Sequence, residues 1–154
     1  MSPSPRSAGR PVAGPRRIVV GLDGSPEAER ALDWAIGIAQ ACGSELIAVH
    51  ALGLLDRSQP DGVVPSATHR EEIIHRFERS WCASLVGSGV RSRRVTREGA
   101  PLDVLLAVAE HDHADLIVVG SRGIGRVPGQ VLGSTSHQVA TRARTPVVVV
   151  PAGR

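Results

Sequence analysis

Residues 115–136 read DLIVVGSRGIGRVPGQVLGSTS, an apolar run that leads through a glycine-rich loop into a polar helix start. The run that ends at Gly120 is continuous in its apolar character, which is typical of a strand covered on both faces of a sheet. Gly123 follows, and after nine further residues come Gly133 and Ser134. The segment therefore predicts a strand, a glycine-rich loop and a helix, which is the order of elements in an α/β fold.

The same order of elements occurs near the start of the chain. The run RIVVGL at residues 17–22 predicts a strand, and a turn at Asp23 follows it. Ser25 suits the N-cap of a helix and Pro26 suits its first position. Apolar residues then recur at helical spacing until Gly43, which predicts the end of this helix.

Three more strands and two more helices follow from the same patterns. The strands are predicted at residues 45–51, 90–96 and 146–150, and the helices at 68–86 and from 101. The helix after the glycine-rich loop is predicted at 134–144. The strand at 90–96 carries three arginines, which favours the edge of a sheet, and residues 53–66 predict a long loop. Five strands alternating with helices predict a single α/β domain, an open parallel sheet with helices on both faces.

Charge is distributed unevenly along the chain. Of the net charge of +3, the arginines at positions 6, 10, 16 and 17 contribute +4, which leaves −1 for all other residues. Residues 1–16 are rich in Ser, Pro, Gly and Arg, so we expect a disordered basic tail before a domain at 17–152. The domain itself is not basic, and its aromatic residues Trp34, Phe77 and Trp81 lie in helical patterns. No specific nucleic-acid binding is therefore expected.

Several other kinds of site are not indicated. All 18 basic residues are arginine, which excludes a Walker-type phosphate lysine or a Schiff-base lysine. Cys42 and Cys82 stand alone in predicted helices, and we expect both to be buried. No serine or cysteine with an orienting acid accompanies His50, so no catalytic triad is predicted. No apolar run reaches the length of a membrane span or a signal peptide, so we expect a cytoplasmic protein without membrane contact.

The glycine-rich loop has the composition of a phosphate-binding site. Glycines let backbone N–H groups approach an anion, and the following helix adds its free N-terminal donors. Hydroxyls at residues 134–136 and the guanidinium of Arg122 or Arg126 would complete the site. A glycine-rich loop between a strand and a helix can also be a plain connection. The spacing is neither a dinucleotide fingerprint nor a Walker loop.

The spacing of Gly120, Gly123, Gly133 and Ser134 resembles that of ATP-binding members of the universal stress protein family. Those proteins carry glycine, two residues, glycine, nine residues, then glycine and Ser or Thr. The opening IVVGLDGSPEAERAL, the strand end VHA and the closing TPVVVVP are similar to the same family, so the resemblance covers residues 17–151.

The resemblance implies a site residue by residue. Gly21, Leu22 and Asp23 would line the adenosine side, with Asp23 on the ribose or on a nucleotide-bound Mg ion, although it can also be a plain turn residue. Ala51 would lie against the adenine. The phosphates would lie among the loop residues Gly120, Ser121, Arg122, Gly123, Gly125, Gly133, Ser134 and Thr135.

The resemblance also implies strand order 3-2-1-4-5 and a homodimer formed through Val147–Val150. Arg126, Pro128 and Gln130 depart from the small or apolar residues usual in the spacer, which puts tight ATP binding in question. Three functions follow as hypotheses. The first is an ATP-binding stress-response or regulatory protein, the second is a slow ATP hydrolase of the same fold, and the third is a nucleotide-free dimeric interaction module.

Overall fold

The computed structural model describes residues 13–53, 67–123 and 132–153. Five strands in this part of the chain form one sheet: β1 Arg17–Gly21, β2 Glu45–Ala51, β3 Ser92–Arg97, β4 Leu116–Gly120 and β5 Val147–Val150. Their order is β3-β2-β1-β4-β5, and every neighbouring pair is parallel. The predicted sheet, its order and the edge position of the arginine-bearing strand are confirmed. The order reverses between β1 and β4, where α/β sheets bind their ligands.

Helix α1, Pro26–Cys42, shows the capping that the sequence predicts. The Ser25 Oγ accepts a hydrogen bond from the Ala28 N–H at 3.2 Å, and Pro26 occupies the first turn. Gly43 closes the helix in the left-handed conformation with φ 70°, where its N–H bonds to the Ala39 carbonyl. The start and the end of α1 are therefore fixed by local residues.

The sheet is buried on both faces because alternate strand residues point to opposite sides. One face packs against α1 and carries Ile18, Val20 and Val118. The other packs against helix α3, Pro101–His111, and helix α4, Ser134–Arg142, and carries Val19 and Ile117. These strand residues are fully buried. Continuous apolar strands are what a sheet covered on both faces requires.

The long helix predicted at residues 68–86 is wrong in its second half. Helix α2 spans Ala67–Arg76 and buries none of its residues, and the chain then continues in other helical forms. Phe77–Trp81 is a π-helical turn in which the Cys82 N–H bonds back to the Phe77 carbonyl at 3.1 Å, and Ala83–Leu85 is a 3₁₀ turn. The wider turn brings Phe77 and Cys82 fully into the core.

The prediction that Cys42 is buried is also wrong. Cys82 is buried, but Cys42 is exposed. The buried stripe of α1 ends at Ala39, so the last turn of this helix extends beyond the core. Most of the predicted tail, the 54–66 part of the predicted loop and the spacer residues 124–131 lie outside the described residues.

Residues 13–16 of the predicted tail are described, and Pro15 and Arg16 among them are hydrogen-bonded. The Pro15 carbonyl accepts from the Ser44 hydroxyl, and the Arg16 carbonyl accepts from the Glu45 N–H at 2.9 Å. The hydrogen bonds to the domain therefore begin at least two residues before β1. In the described ranges no helix has the length and apolar character that crossing a membrane requires.

Candidate functional site

A cavity of about 460 Å³ opens at the carboxyl edge of the sheet, where the strand order reverses. It lies beyond the ends of β1, β2 and β4, between the start of α3 and the start of α4. Its walls are formed by Gly21, Leu22, Asp23, Ala28, Val49, His50, Ala51, Pro101, Leu105, Val119, Gly120, Arg122, Gly123, Gly133, Ser134, Thr135 and Ser136.

The turn after β1 carries the acidic side of this cavity. The Leu22 N–H donates to the Val49 carbonyl at 2.8 Å, which ties the turn to β2. Asp23 accepts a hydrogen bond from the Ser25 N–H at 2.9 Å through Oδ1. Its other oxygen, Oδ2, lies against Gly123, so close that a Cβ atom there would collide with it. The Asp23 carboxylate and the glycine loop therefore meet directly.

Gly120 and Gly21 allow the elements around the cavity to approach one another. A Cβ on Gly120 would lie 2.7 Å from the Glu27 carbonyl carbon and 2.8 Å from its oxygen, so β4 packs backbone to backbone on the first turn of α1. A Cβ on Gly21 would lie 3.1 Å from the side chain of Leu105. Glycine at 120 is required by this contact, because a side chain has no room.

The two described ends of the glycine-rich loop are held together by hydrogen bonds. The Gly133 N–H donates to the Ser121 carbonyl at 2.6 Å, and the Ser136 hydroxyl donates to the same carbonyl at 2.9 Å. Ser121 also accepts from the Ala152 N–H through Oγ at 3.1 Å. Helix α4 starts immediately after Gly133, and its N-terminus has no side-chain cap at that residue. Its first residues, Ser134, Thr135 and Ser136, line the cavity, and the first N–H groups of a helix lack partners within the helix.

Arg122 supplies positive charge beside these amides. Among the described residues that line the cavity it is the one arginine, and Asp23 is the one carboxylate. The Arg122 Nε is buried and has no hydrogen-bond partner within the part of the chain that the structure describes. A buried donor of a charged group without a partner is costly unless a ligand satisfies it. An anionic oxygen is the group that would do so.

His50 forms the wall behind the β1 turn. Its Nδ1 lies 2.7 Å from the Leu22 carbonyl oxygen. Its ring packs edge-on against Trp81, with the ring centres 4.9 Å apart, and near Phe77 at 5.9 Å. Burial lowers the pKa of His50, and the Leu22 hydrogen bond and the charge of Asp23 offset part of that effect. The ring is therefore neutral at physiological pH.

Comparison with known proteins gives the family to which this sheet and cavity belong. A family model described as the universal stress protein family matches residues 14–151. The chain belongs to this family. A universal stress protein of Thermus aquaticus is 34% identical over 136 residues, which cover 88% of this chain and 98% of the relative.

Solved structures of universal stress proteins share the fold. One, crystallised in complex with cAMP, is 30% identical with a TM-score of 0.69, and the match covers 89% of this chain and 97% of that one. Universal stress protein UspA from Lactobacillus plantarum has a TM-score of 0.70 at 24% identity, with 88% and 97% covered. The architecture is thus that of the universal stress protein fold.

The structure brings together ten of the twelve residues that the sequence proposes for the universal stress protein site. Those lining the cavity are Gly21, Leu22, Asp23, Ala51, Gly120, Arg122, Gly123, Gly133, Ser134 and Thr135. Ser121 does not line it, because its hydroxyl and backbone groups bind the ends of the loop and the chain after β5. Gly125 lies outside the described residues.

Ser136, whose hydroxyl the sequence assigns to the phosphate site, also lines the cavity. The wall residues that the sequence does not assign to the site are His50, Ala28, Val49, Pro101, Leu105 and Val119. The position of His50 at the end of a strand could have indicated it. The described residues contain no cluster of three or more His, Cys, Asp or Glu side chains that could hold a metal by themselves. Asp23 could contact a metal ion only in company with oxygens of a ligand.

Proposed function

We propose that this protein binds an adenine nucleotide, ATP, in the cavity at the β1–β4 switch point, and that the nucleotide serves as a regulatory ligand. The observation that carries this proposal is the buried Arg122 Nε, which has no partner among the described residues and lies in the cavity wall with the first residues of α4. Together with the backbone at Gly123 and the hydroxyls of Ser134 and Thr135, Arg122 places hydrogen-bond donors among the residues that line the cavity. Phosphate oxygens are their natural acceptors.

The remaining walls suit a nucleoside. Ala51, Val49 and Leu105 give an apolar region for the adenine ring. Asp23 is the carboxylate available to ribose hydroxyls, which donate hydrogen bonds to carboxylates. With ATP bound, Asp23 could also contact a Mg ion that the phosphates hold, because magnesium sites commonly combine one or two carboxylates with phosphate oxygens. The residues present fit an adenine nucleotide, with or without magnesium.

A cyclic adenine nucleotide is the second candidate ligand. A structure 30% identical to this chain was solved in complex with cAMP. The described cavity walls hold one arginine and one carboxylate, a balance that suits a ligand with a single negative charge as well as one with several. Comparison of ATP, AMP and cAMP therefore belongs to the first experiment.

The test is calorimetric titration of the full chain with ATP, AMP, cAMP and adenosine, after mass spectrometry of any nucleotide released by denaturation. Arg122→Gln should weaken binding of the phosphate-bearing ligands by about 10- to 100-fold, because a charge-assisted hydrogen bond contributes roughly 1.5–3 kcal/mol. Adenosine binding should change little. Arg91→Gln is the matched control, since Arg91 is exposed at the opposite edge of the sheet, where its carbonyl bonds to the Leu46 N–H.

The result that would overturn the proposal is a wild-type protein that carries no nucleotide and binds none of the four ligands at millimolar concentration. Phosphate release measured in the same samples addresses the hydrolase alternative. Release at the background rate while ATP is bound supports a ligand role, and turnover that Arg122→Gln abolishes would make the protein an ATPase.

We also propose a homodimer formed through β5. This strand is at the sheet edge and pairs only with β4 among the described strands. Its four valines are only partly buried, and an apolar strand edge favours pairing with another strand. Light scattering on the purified protein should give a dimer mass, and Val149→Glu should give a monomer. A monomeric wild type would contradict the proposal and leave nucleotide binding untouched.

In cells, we propose a cytoplasmic role in the stress response, with the nucleotide-bound dimer as the active form. Belonging to the universal stress protein family supports this role. Deletion of the gene followed by growth under starvation and oxidative stress would test it, with complementation by the wild type and by Arg122→Gln. Equal rescue by both proteins would separate the stress role from nucleotide binding.

A further inference from the structure

The geometry points to His50 as a positioning residue, which sets the Asp23 carboxylate for the nucleotide by fixing the backbone of Leu22. The inference rests on the proposed function, because the ligand of the cavity is the nucleotide proposed above. It assigns a specific task to a side chain that lines the cavity and is not itself a phosphate or metal ligand.

Two neighbouring residues of β2 hold both backbone groups of Leu22. The Leu22 N–H donates to the Val49 carbonyl at 2.8 Å, and the Leu22 carbonyl lies 2.7 Å from His50 Nδ1. A carbonyl oxygen only accepts, so Nδ1 carries the proton and donates it. In a neutral ring this fixes the tautomer and leaves the lone pair on Nε2. Leu22, and with it the start of the β1 turn, is fixed to β2 through both of its peptide groups.

The imidazole ring is itself held in place by the π-helical turn. Trp81 packs edge-on against it at 81° and 4.9 Å between ring centres, and the fully buried Phe77 lies behind it. The Trp81 indole also reaches the residue after Asp23. Gly24 has φ 82°, and a Cβ atom there would lie 2.6 Å from Trp81 Cζ2. The cluster of His50, Phe77 and Trp81 therefore contacts Leu22, which precedes Asp23, and also Gly24, which follows it.

Asp23 lies between these two fixed points, and its carboxylate is directed by them. Oδ1 accepts from the Ser25 N–H at 2.9 Å, and Oδ2 lies against Gly123 in the glycine loop. A shift of the Leu22 carbonyl would move the next residue and so the carboxylate, and small displacements of binding groups cost affinity. The hydrogen bond from His50 is the one side-chain bond to Leu22 that the described part of the chain provides.

The experiment compares ATP binding by the full chain with His50→Phe, which keeps an aromatic ring against Trp81 and loses the donor, and His50→Asn, which keeps a donor near the position of Nδ1. We expect His50→Phe to weaken ATP binding by about 10-fold or more and His50→Asn to stay within about threefold of the wild type. Equal binding by His50→Phe and the wild type would overturn the inference.

A double-mutant cycle with Asp23→Asn separates positioning from general loss of structure. If His50 acts through Asp23, then His50→Phe should cost almost nothing further in a chain that already carries Asp23→Asn. Losses that simply multiply would overturn the inference. Absence of ATP binding by the wild type would instead defeat the proposed function, so the two failures are distinguishable.

A measurement on the wild type keeps the inference testable if His50→Phe does not fold. The imidazole Nδ1–H resonance of His50 should be visible by NMR in the ligand-free protein and should shift when ATP is added. The signal should shift less with ATP in Asp23→Asn than in the wild type. A resonance that does not respond to ATP in the wild type would overturn the inference.

Discussion

Gly123 lies against the Asp23 carboxylate, and no side chain fits between them, because a Cβ on residue 123 would collide with Oδ2. This contact joins the turn after β1 to the loop after β4 across the point where the strand order reverses. The acidic side and the donor-rich side of the cavity are therefore adjacent, and a ligand that spans both must touch the backbone at residue 123.

Gly123→Ala should displace Asp23 and weaken ATP binding by at least about tenfold, with little change in stability because both residues lie at the open edge of the sheet. Titration calorimetry and thermal unfolding on the same samples would show the difference. Gly37→Ala is the matched control: Gly37 lies within α1 with nothing near its missing Cβ. Unchanged affinity in Gly123→Ala would show that the ligand does not depend on this contact.

Gly120→Ala should instead lower stability. The new methyl group would meet the backbone of Glu27 at 2.7–2.8 Å, and backbone in a helix cannot rotate away. Overpacking of this kind costs about 1–3 kcal/mol in the free energy of unfolding. Gly21→Ala should cost clearly less, because its methyl group would meet only the flexible end of Leu105 at 3.1 Å. Urea denaturation measures both, and a reversed order would contradict the packing described here.

Gly37 within α1 and Gly43 directly after it should respond to the same substitution with opposite signs. Gly37→Ala should stabilise the protein by about 0.5–1 kcal/mol, because alanine favours a helix interior and the position is open. Gly43→Ala should destabilise it by about 1 kcal/mol, because Gly43 closes the helix at φ 70°. Chemical denaturation would test the pair, and equal signs would contradict the cap.

Sequence reasoning worked where the cause of the structure is local. The ends of α1 depend on Ser25, Pro26 and Gly43, whose preferences can be read without knowledge of the fold. The sheet order came from resemblance, and the observed β3-β2-β1-β4-β5 order agrees with it. The failures arose where tertiary contacts decide. The π-helical turn at Phe77–Trp81 has the same apolar residues as an α-helix and differs only in which carbonyl each N–H reaches.

The candidate site shows the same division. Its glycines and Asp23 could be proposed from spacing and resemblance, because they follow the strands whose carboxyl ends meet at one edge. The hydrogen bond of His50 could not be predicted, since its acceptor is the backbone carbonyl of Leu22, a group that every residue carries and no motif marks. Cys42 was wrongly expected to be buried, because helical periodicity does not show where a helix extends past its core.

The buried His50 should make stability depend on pH in a defined direction. Burial holds its pKa in the folded protein below the ordinary value of about 6.5, with partial compensation from Leu22 and Asp23. As the pH falls below about 6.5, the unfolded chain takes up a proton at this site before the folded chain does, so the free energy of unfolding decreases. The loss ends when the pH reaches the folded pKa.

His50→Asn removes the titrating group and keeps a hydrogen-bond donor, so the decrease in stability between pH 7.5 and pH 5.5 should be smaller than in the wild type. His75→Asn, at an exposed position of α2, should retain the wild-type decrease. Urea denaturation at a series of pH values gives the free energies directly. If His50→Asn and the wild type lose stability in parallel, His50 is not the source of the pH dependence, and protonation of another group must account for it.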